Sequence, residues 1–267
     1  MFRIQRINRL SALALLPWGG LAQAALHDRG NGLIYDDVLD VTWLQDANLA
    51  ATRNFGVYGI RSDGSFSRCD IGMEWVDAMN AAGYKGFTDW QLPMVSPIDG
   101  NQINTTLSYD GSTDTAFNIS APGSAFPGSQ ASDLAHLHYQ SLSNQGWYDV
   151  NGNRNDQGCP DDANGCLRNT GPFINLQPGV YIFADNCPPV IPVPTPYLAF
   201  DFRSGQQGWE GTFLQPVQQF RALPYHPGDV AATGVKSVPT LSPWPLAALG
   251  GLLLMLGGYR LRRRVFR

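Results

Sequence analysis

Glutamate is almost missing from this chain: twenty of its 22 acidic residues are aspartate, and only Glu74 and Glu210 are glutamate. Aspartate bonds nearby backbone N–H groups and favours turns and caps, whereas glutamate builds helices, so a mostly helical body is excluded. With 29 Gly and 19 Pro as well, the expected body is strand and loop with few helices. No G-x-S-x-G, H-E-x-x-H or phosphate loop occurs, which removes the commonest hydrolase, metalloprotease and nucleotide readings. Two of the uncharged stretches, Leu10 to Leu21 and Leu241 to Tyr259, are also predominantly apolar and lie near the ends of the sequence. These stretches carry the clearest information.

Arg3, Arg6 and Arg9 precede the first apolar stretch, and Ala22-Gln23-Ala24 follows it. That order predicts a secretory signal peptide over 1–24, cut by signal peptidase after Ala24. The second stretch, as a helix rising 1.5 Å per residue, reaches about 28 Å, close to a bilayer core of about 30 Å. Arg260 and Arg262 to Arg264 then place its end in the cytoplasm by the positive-inside rule. The reading is a transmembrane helix over 241–259 in the inner membrane. Just before it stand Val238, Pro239, Thr240 and Leu241, with Trp244 in register. This order resembles the IPTL-CTERM sorting signal, with Val238 for the usual Ile and Pro245 for the usual Gly. The resemblance implies an envelope protein of Gram-negative type, handled by an exosortase-type enzyme over 238–267 and then transferred to the cell surface or extracellular matrix.

Ten of the 18 Lys and Arg, and all 22 acids, lie between Ala24 and Arg260, so the exported body carries a net −12. Such a field repels nucleic acid and attracts divalent cations. Four cysteines in an oxidising compartment imply two disulfides with three possible pairings. Cys159–Cys166 as a small clip and Cys69–Cys187 as a long tie are favoured. A zinc site is the competing reading, and the spacings lack C-x-x-C.

Residues 25–231 suffice for one domain, followed by a linker over 232–237. Leu33 to Tyr35 and Leu39 to Leu44 read as a hairpin. A helix opens at Asp70 and ends before Gly83, with Met73, Val76, Met79 and Ala82 as its apolar stripe. Ile98 to Gly128 reads as long loops. Asp133 opens a second helix, with Leu134, Leu137 and Leu142 on one face and Gly146 as its stop. Strands are expected over 173–176, 180–183, 197–202, 211–214 and 217–223.

Several motifs run in order through this body. They are Gly32-Leu33-Ile34-Tyr35-Asp36, Val41-Thr42-Trp43-Leu44-Gln45-Asp46-Ala47-Asn48, Asp89-Trp90-Gln91-Leu92-Pro93, Ser108-Tyr109-Asp110-Gly111-Ser112-Thr113-Asp114, Asn169-Thr170-Gly171-Pro172-Phe173 and Pro227-Gly228-Asp229-Val230-Ala231. Together they resemble DUF1566, or Lcl C-terminal, domains. Gln91, the strand at Val180 to Ala184 and the insert from Asn186 to Pro196 depart from that pattern. The resemblance implies an α+β, C-type-lectin-like domain. It would have a twisted antiparallel sheet, two helices and long loops, and serve binding more often than catalysis. One member of that family binds sulfated glycosaminoglycans, a role that a body near −12 fits poorly.

Trp147, Tyr148, Trp209 and Tyr225, with Tyr197, lie beside turns as sugar-stacking rings do; packing in the core is the competing role. Asp149, Asn151, Asn153 and Asp156 offer oxygen ligands at calcium-loop spacing, although Pro160 stands where an EF-hand has Glu. Asp110 with Asp114 is a second such set, and Asp161-Asp162 could assist. His136 and His138, two apart on a helix, do not share a face, so one packed and one surface histidine is the better reading. Glu74 and Glu210 could pair as glycosidase carboxylates only if the fold joined them. The sequon at Asn118 reads as chance.

The function expected is a non-enzymatic, surface-anchored binding or matrix module recognising a glycan or an extracellular-matrix component. It requires no cofactor, with structural calcium as an option. The alternatives are an anchored glycan-active enzyme and a structural envelope protein without a discrete ligand.

Overall fold

The structure is a computed structural model that describes residues 25–184, 198–209 and 219–230. The expected signal peptide, Cys187, Tyr197, Glu210, the strand over 211–214, the linker and the sorting tail lie outside the described residues.

Among the described residues, ten strands form two sheets. In the first, β1 (Leu26–Gly30), β2 (Leu33–Asp36) and β3 (Val41–Leu44) run as an antiparallel meander, and β10 (Tyr225–Pro227) pairs with β3. The expected hairpin is β2–β3, with Asp36 Oδ1 accepting the N–H groups of Val38 (3.1 Å) and Leu39 (3.2 Å) in the turn. Thr42 bolts the returning chain down. Its hydroxyl donates to Gly228 O at 2.6 Å and accepts from Val230 N at 3.2 Å, while Arg29 grips both oxygens of Asp229 at 2.7 Å.

The second sheet has six short strands. These are β4 (Leu107–Ser108), β5 (Thr115–Ala116), β6 (Val180–Ile182), β7 (Ala199–Asp201), β8 (Gln206–Gly208) and β9 (Phe220–Arg221), in the order β4-β5-β8-β7-β6-β9. The pairs β4–β5 and β6–β9 are parallel; the rest are antiparallel.

Two packed cores flank these sheets, and strand periodicity divides the side chains between them, because successive residues point to opposite faces. Ile34, Trp43, Tyr181 and Phe200 enter one core with Leu134, Leu137 and Leu142. Their neighbours Leu33, Leu44, Val180, Ile182 and Ala199 enter the other with Trp75, Val76 and Met79 of helix α1 (Cys69–Ala81). Strands covered on both faces read as continuous apolar runs, as Val180-Tyr181-Ile182 does. Gly72 sits on the buried face of α1, where a Cβ would lie 2.6 Å from both Ile182 Cδ1 and Phe66 Cζ. Only glycine lets this helix approach so closely, despite costing a helix about 1 kcal/mol.

Several expectations need correction. The α+β content with two helices and sheets stands. The single twisted antiparallel sheet of a C-type-lectin-like domain does not, since the strands divide between two sheets and the larger contains two parallel pairs. The expected transmembrane helix finds no support: among the described residues no helix is long and apolar enough to cross a membrane, and 241–259 lies outside them.

Helix α1 begins at Cys69, with Asp70 inside its first turn and paired with Arg68. Met73 is exposed, and Cys69, Gly72 and Trp75 join Val76 and Met79 on its buried face. Helix α2 is one turn, Asp133–His136, capped by Ser132 Oγ, which accepts from Ala135 N at 3.3 Å. It widens at once into a π turn over Leu137–Ser141. No strand forms over 173–176, where Ile174 makes one isolated bridge to Asp46.

Cys159 and Cys166 form a disulfide, and both are fully buried. Cys69 is also disulfide-bonded; Cys187, its expected partner, lies outside the described residues. The clip joins residues seven apart, a loop whose closure is worth about 2–3 kcal/mol. Changing both Cys159 and Cys166 to Ser should lower the unfolding free energy by that amount in urea titrations.

Candidate functional site

The π turn opens one side of a cleft. Its other walls are the loop from Asn118 to Pro122, the loop from Ser143 to Val150 and the side chain of Asn155, and they enclose about 620 Å³. That volume is typical of small-molecule sites, which run from about 300 to 1,000 Å³.

Tyr139 holds the cleft in shape. Its buried hydroxyl donates to Gly205 O at 2.6 Å and accepts from Asn118 N at 3.0 Å. Burial pushes this phenol above its ordinary range, so it is a fixed neutral hydrogen-bonding post. Asn118 is held in a left-handed conformation at φ 59°, and its Nδ2 donates to Tyr109 O at 2.8 Å and Tyr148 O at 2.9 Å. Ser120 (φ 68°) and Ser143 (φ 54°) are left-handed too, and Gln140 Nε2 donates to Ser120 O. Non-glycine residues in this region are strained and persist where the surroundings over-determine them, commonly at functional sites. A π turn carries the same association. Two of these residues, Asn118 and Ser143, line the cleft together with Tyr139 and Gln140 of the π turn.

The opposite wall is fixed by carboxamides. Asn144 Oδ1 accepts from Arg168 N at 3.0 Å and Asn169 N at 2.8 Å, and its Nδ2 donates to Asn169 O at 2.8 Å. Asn155 Nδ2 donates to Gln145 Oε1 at 2.8 Å, and Asn155 N donates to Trp147 O at 2.8 Å. The disulfide anchors this wall, since Cys159 N donates to Asn155 O.

Of the aromatic residues expected to bind ligand that lie among the described residues, Tyr148 alone lines the cleft. It packs on Tyr109 and Phe117, each with ring centroids 5.0 Å away. Trp147 is buried, with the Arg154 guanidinium 4.5 Å from its ring centroid and that of Arg203 5.9 Å away. Tyr225 is buried edge-on to Trp43, with centroids 5.1 Å apart, and Trp209 follows β8, partly exposed.

The carboxylates expected to hold calcium are already engaged by neighbouring groups. Asp149 Oδ1 accepts from Asn151 N (2.9 Å) and Asn153 N (2.8 Å), and its Oδ2 accepts from Asn153 Nδ2 (3.1 Å). These bonds hold its carboxyl below the usual range. Asp156 pairs with Arg154 at 2.8 Å and Asp162 with Arg168 at 2.7 Å. Asp110 accepts from Ser112 N at 3.1 Å. Asp114 accepts from Ile98 N at 2.9 Å and Asn104 N at 2.7 Å. Among the described residues, no group of three or more His, Cys, Asp or Glu is arranged to hold a metal ion.

His136 and His138 are both buried, correcting the expectation that one would face solvent. The π turn rotates His138 inward onto Phe200 and Phe202, with centroids 5.3 and 5.5 Å away. His138 Nε2 donates to Gln145 O at 3.0 Å, and His136 Nδ1 donates to Ser129 O at 3.1 Å, tautomers set by the carbonyl acceptors. Their other ring nitrogens have no partner. Burial lowers both pKa values, that of His138 to about 4. Glu74 lies exposed on α1.

Sequence reasoning missed Asn118, Tyr139, Gln140, Gln145 and Asn155. The five-residue step from Leu137 to Leu142 could have disclosed the π turn, since Leu142 N donates to Leu137 O at 2.9 Å.

The family comparison matches residues 236–264 to the IPTL-CTERM motif. No curated protein and no solved structure matches the chain. The tail is thus a C-terminal sorting signal. It marks an exported, cell-envelope-associated protein that is processed by an exosortase-type enzyme. The match does not extend to the body.

Proposed function

We propose that the exported body is a binding module whose cleft takes a neutral glycan, and that it acts without catalysis. The observation that carries this reading is the cleft itself, a preorganised pocket lined by carboxamides and tyrosines. Carboxamides offer paired donors and acceptors without charge, which suits sugar hydroxyls. Tyr148 adds an aromatic surface. Among the described residues the one carboxylate in the lining, Asp149, is tied into its own loop, whereas glycoside hydrolysis uses two carboxyl groups across the bond. The body's net −12 opposes sulfated or uronate-rich ligands. The motif order resembling DUF1566 domains agrees with binding, and the sorting signal provides attachment at the envelope.

A glycan array probed with the full chain tests the reading, followed by calorimetry on the best neutral hit. Tyr148→Ala should weaken that binding about fivefold, the worth of roughly 1 kcal/mol of ring contact. Preference for sulfated glycans, or an unchanged affinity in Tyr148→Ala, contradicts it.

A further inference from the structure

We infer that the cleft reads an acetamido group, so that within the glycan class proposed above it takes N-acetylated amino sugars over plain hexoses. The inference rests on the cleft being a glycan site. It follows from the hydrogen-bonding capacity left over once the lining has satisfied itself.

Gln145 spends Oε1 on Asn155 Nδ2 at 2.8 Å, and its Nε2 is left as a donor. Gln140 spends one Nε2 hydrogen on Ser120 O, which leaves Oε1 as an acceptor beside the second Nε2 hydrogen. Asn118 is 6 % exposed, and both hydrogens of its Nδ2 go to carbonyls, so it too offers only Oδ1. The cleft therefore presents amide donors on Gln145, Gln140 and Asn144 and amide acceptors on Gln140 and Asn118, each side chain pinned by a bond it already makes. Beside them the lining is apolar, at Ala121, Pro122 and Val150.

An acetamido group is complementary to this set. Its carbonyl takes the Gln145 donor, its N–H takes Gln140 Oε1 or Asn118 Oδ1, and its methyl covers the apolar corner. A hexose hydroxyl in the same place satisfies part of the polar set and leaves the apolar corner wet. Sites built around such a group discriminate by tenfold or more against the analogue lacking it.

The test is calorimetric titration of the full chain with N,N′-diacetylchitobiose and with cellobiose. The inference predicts about tenfold tighter binding of the acetylated disaccharide. It further predicts that Gln145→Glu, which keeps an acceptor for Asn155 and replaces the donor by another acceptor, removes that advantage while the unfolding midpoint is unchanged. Equal affinity for the two sugars overturns the inference and leaves the glycan reading standing. Binding of neither sugar, together with a blank neutral-glycan array, overturns both.

Discussion

Replacing Tyr139 by Phe should destabilise the protein by about 3 kcal/mol and unmake the cleft. The ring stays and only the hydroxyl is lost, so packing against Phe200 (centroids 6.4 Å apart) and His138 (4.7 Å) is preserved. What disappears is the shared partner of two backbone groups, the Asn118 N–H and the Gly205 carbonyl. A buried polar group left without a partner costs about 1–3 kcal/mol, which exceeds the roughly 1 kcal/mol net value of an ordinary hydrogen bond. Water cannot readily replace the hydroxyl: a Cβ at Gly205 would lie 2.9 Å from Gly146 Cα, so the backbones there are nearly in contact. Urea unfolding measures the loss. Amide exchange at Asn118 should accelerate in parallel.

The second large effect is a response to acid carried by His138. Its folded pKa is depressed to about 4 by complete burial, from an ordinary 6.5. The unfolded chain therefore binds a proton between those values that the folded protein refuses. The stability is fully present above pH 6.5 and is lost as pH falls through about 4, amounting to about 3 kcal/mol. His136 is depressed in the same direction by burial.

Asp133 acts oppositely. Burial raises its folded pKa from 3.8 to about 6, so its contribution is greatest below pH 3.8 and is lost as pH rises through 6. Between pH 4 and 6 the terms of Asp133 and His138 offset each other, which hides each in the parent protein. Substitution exposes them. The stability deficit of His138→Gln relative to the parent should shrink by about 3 kcal/mol between pH 7 and pH 4. Asp133→Asn should lose ground against the parent over the same descent. Urea titrations at five pH values measure both, and parallel profiles for parent and variants would contradict the assignment.

What the chain disclosed in advance was local. The β2–β3 turn was legible because Asp36 and Asp37 interrupt two apolar runs, and the Cys159–Cys166 clip because two cysteines flank a Gly/Asn/Asp loop in an exported chain. The sorting tail is a linear motif and needs no folding to be recognised. The cleft was illegible for the converse reason. Asn118 looks like a chance sequon until Tyr139, 21 residues later, and Tyr148, 30 residues later, supply its partners. Strand β8 was missed because Gln206 and Gln207 are buried polar residues. Gln207 donates to Asp114 O at 2.9 Å and accepts from Ser132 Oγ at 2.6 Å, contacts no hydrophobic period announces. Trp147 and Tyr225 resembled ligand residues because composition cannot distinguish an exposed ring from one covered by arginine or packed on tryptophan.

The most direct test of the cleft as the binding site is a titration of the ¹⁵N-labelled protein with neutral oligosaccharides, read residue by residue. The account predicts saturable shifts at Asn118, Ala121, Gln140, Gln145, Tyr148 and Asn155, with the α1 face unmoved. Saturable shifts centred on another surface, or none with any neutral sugar, would contradict it.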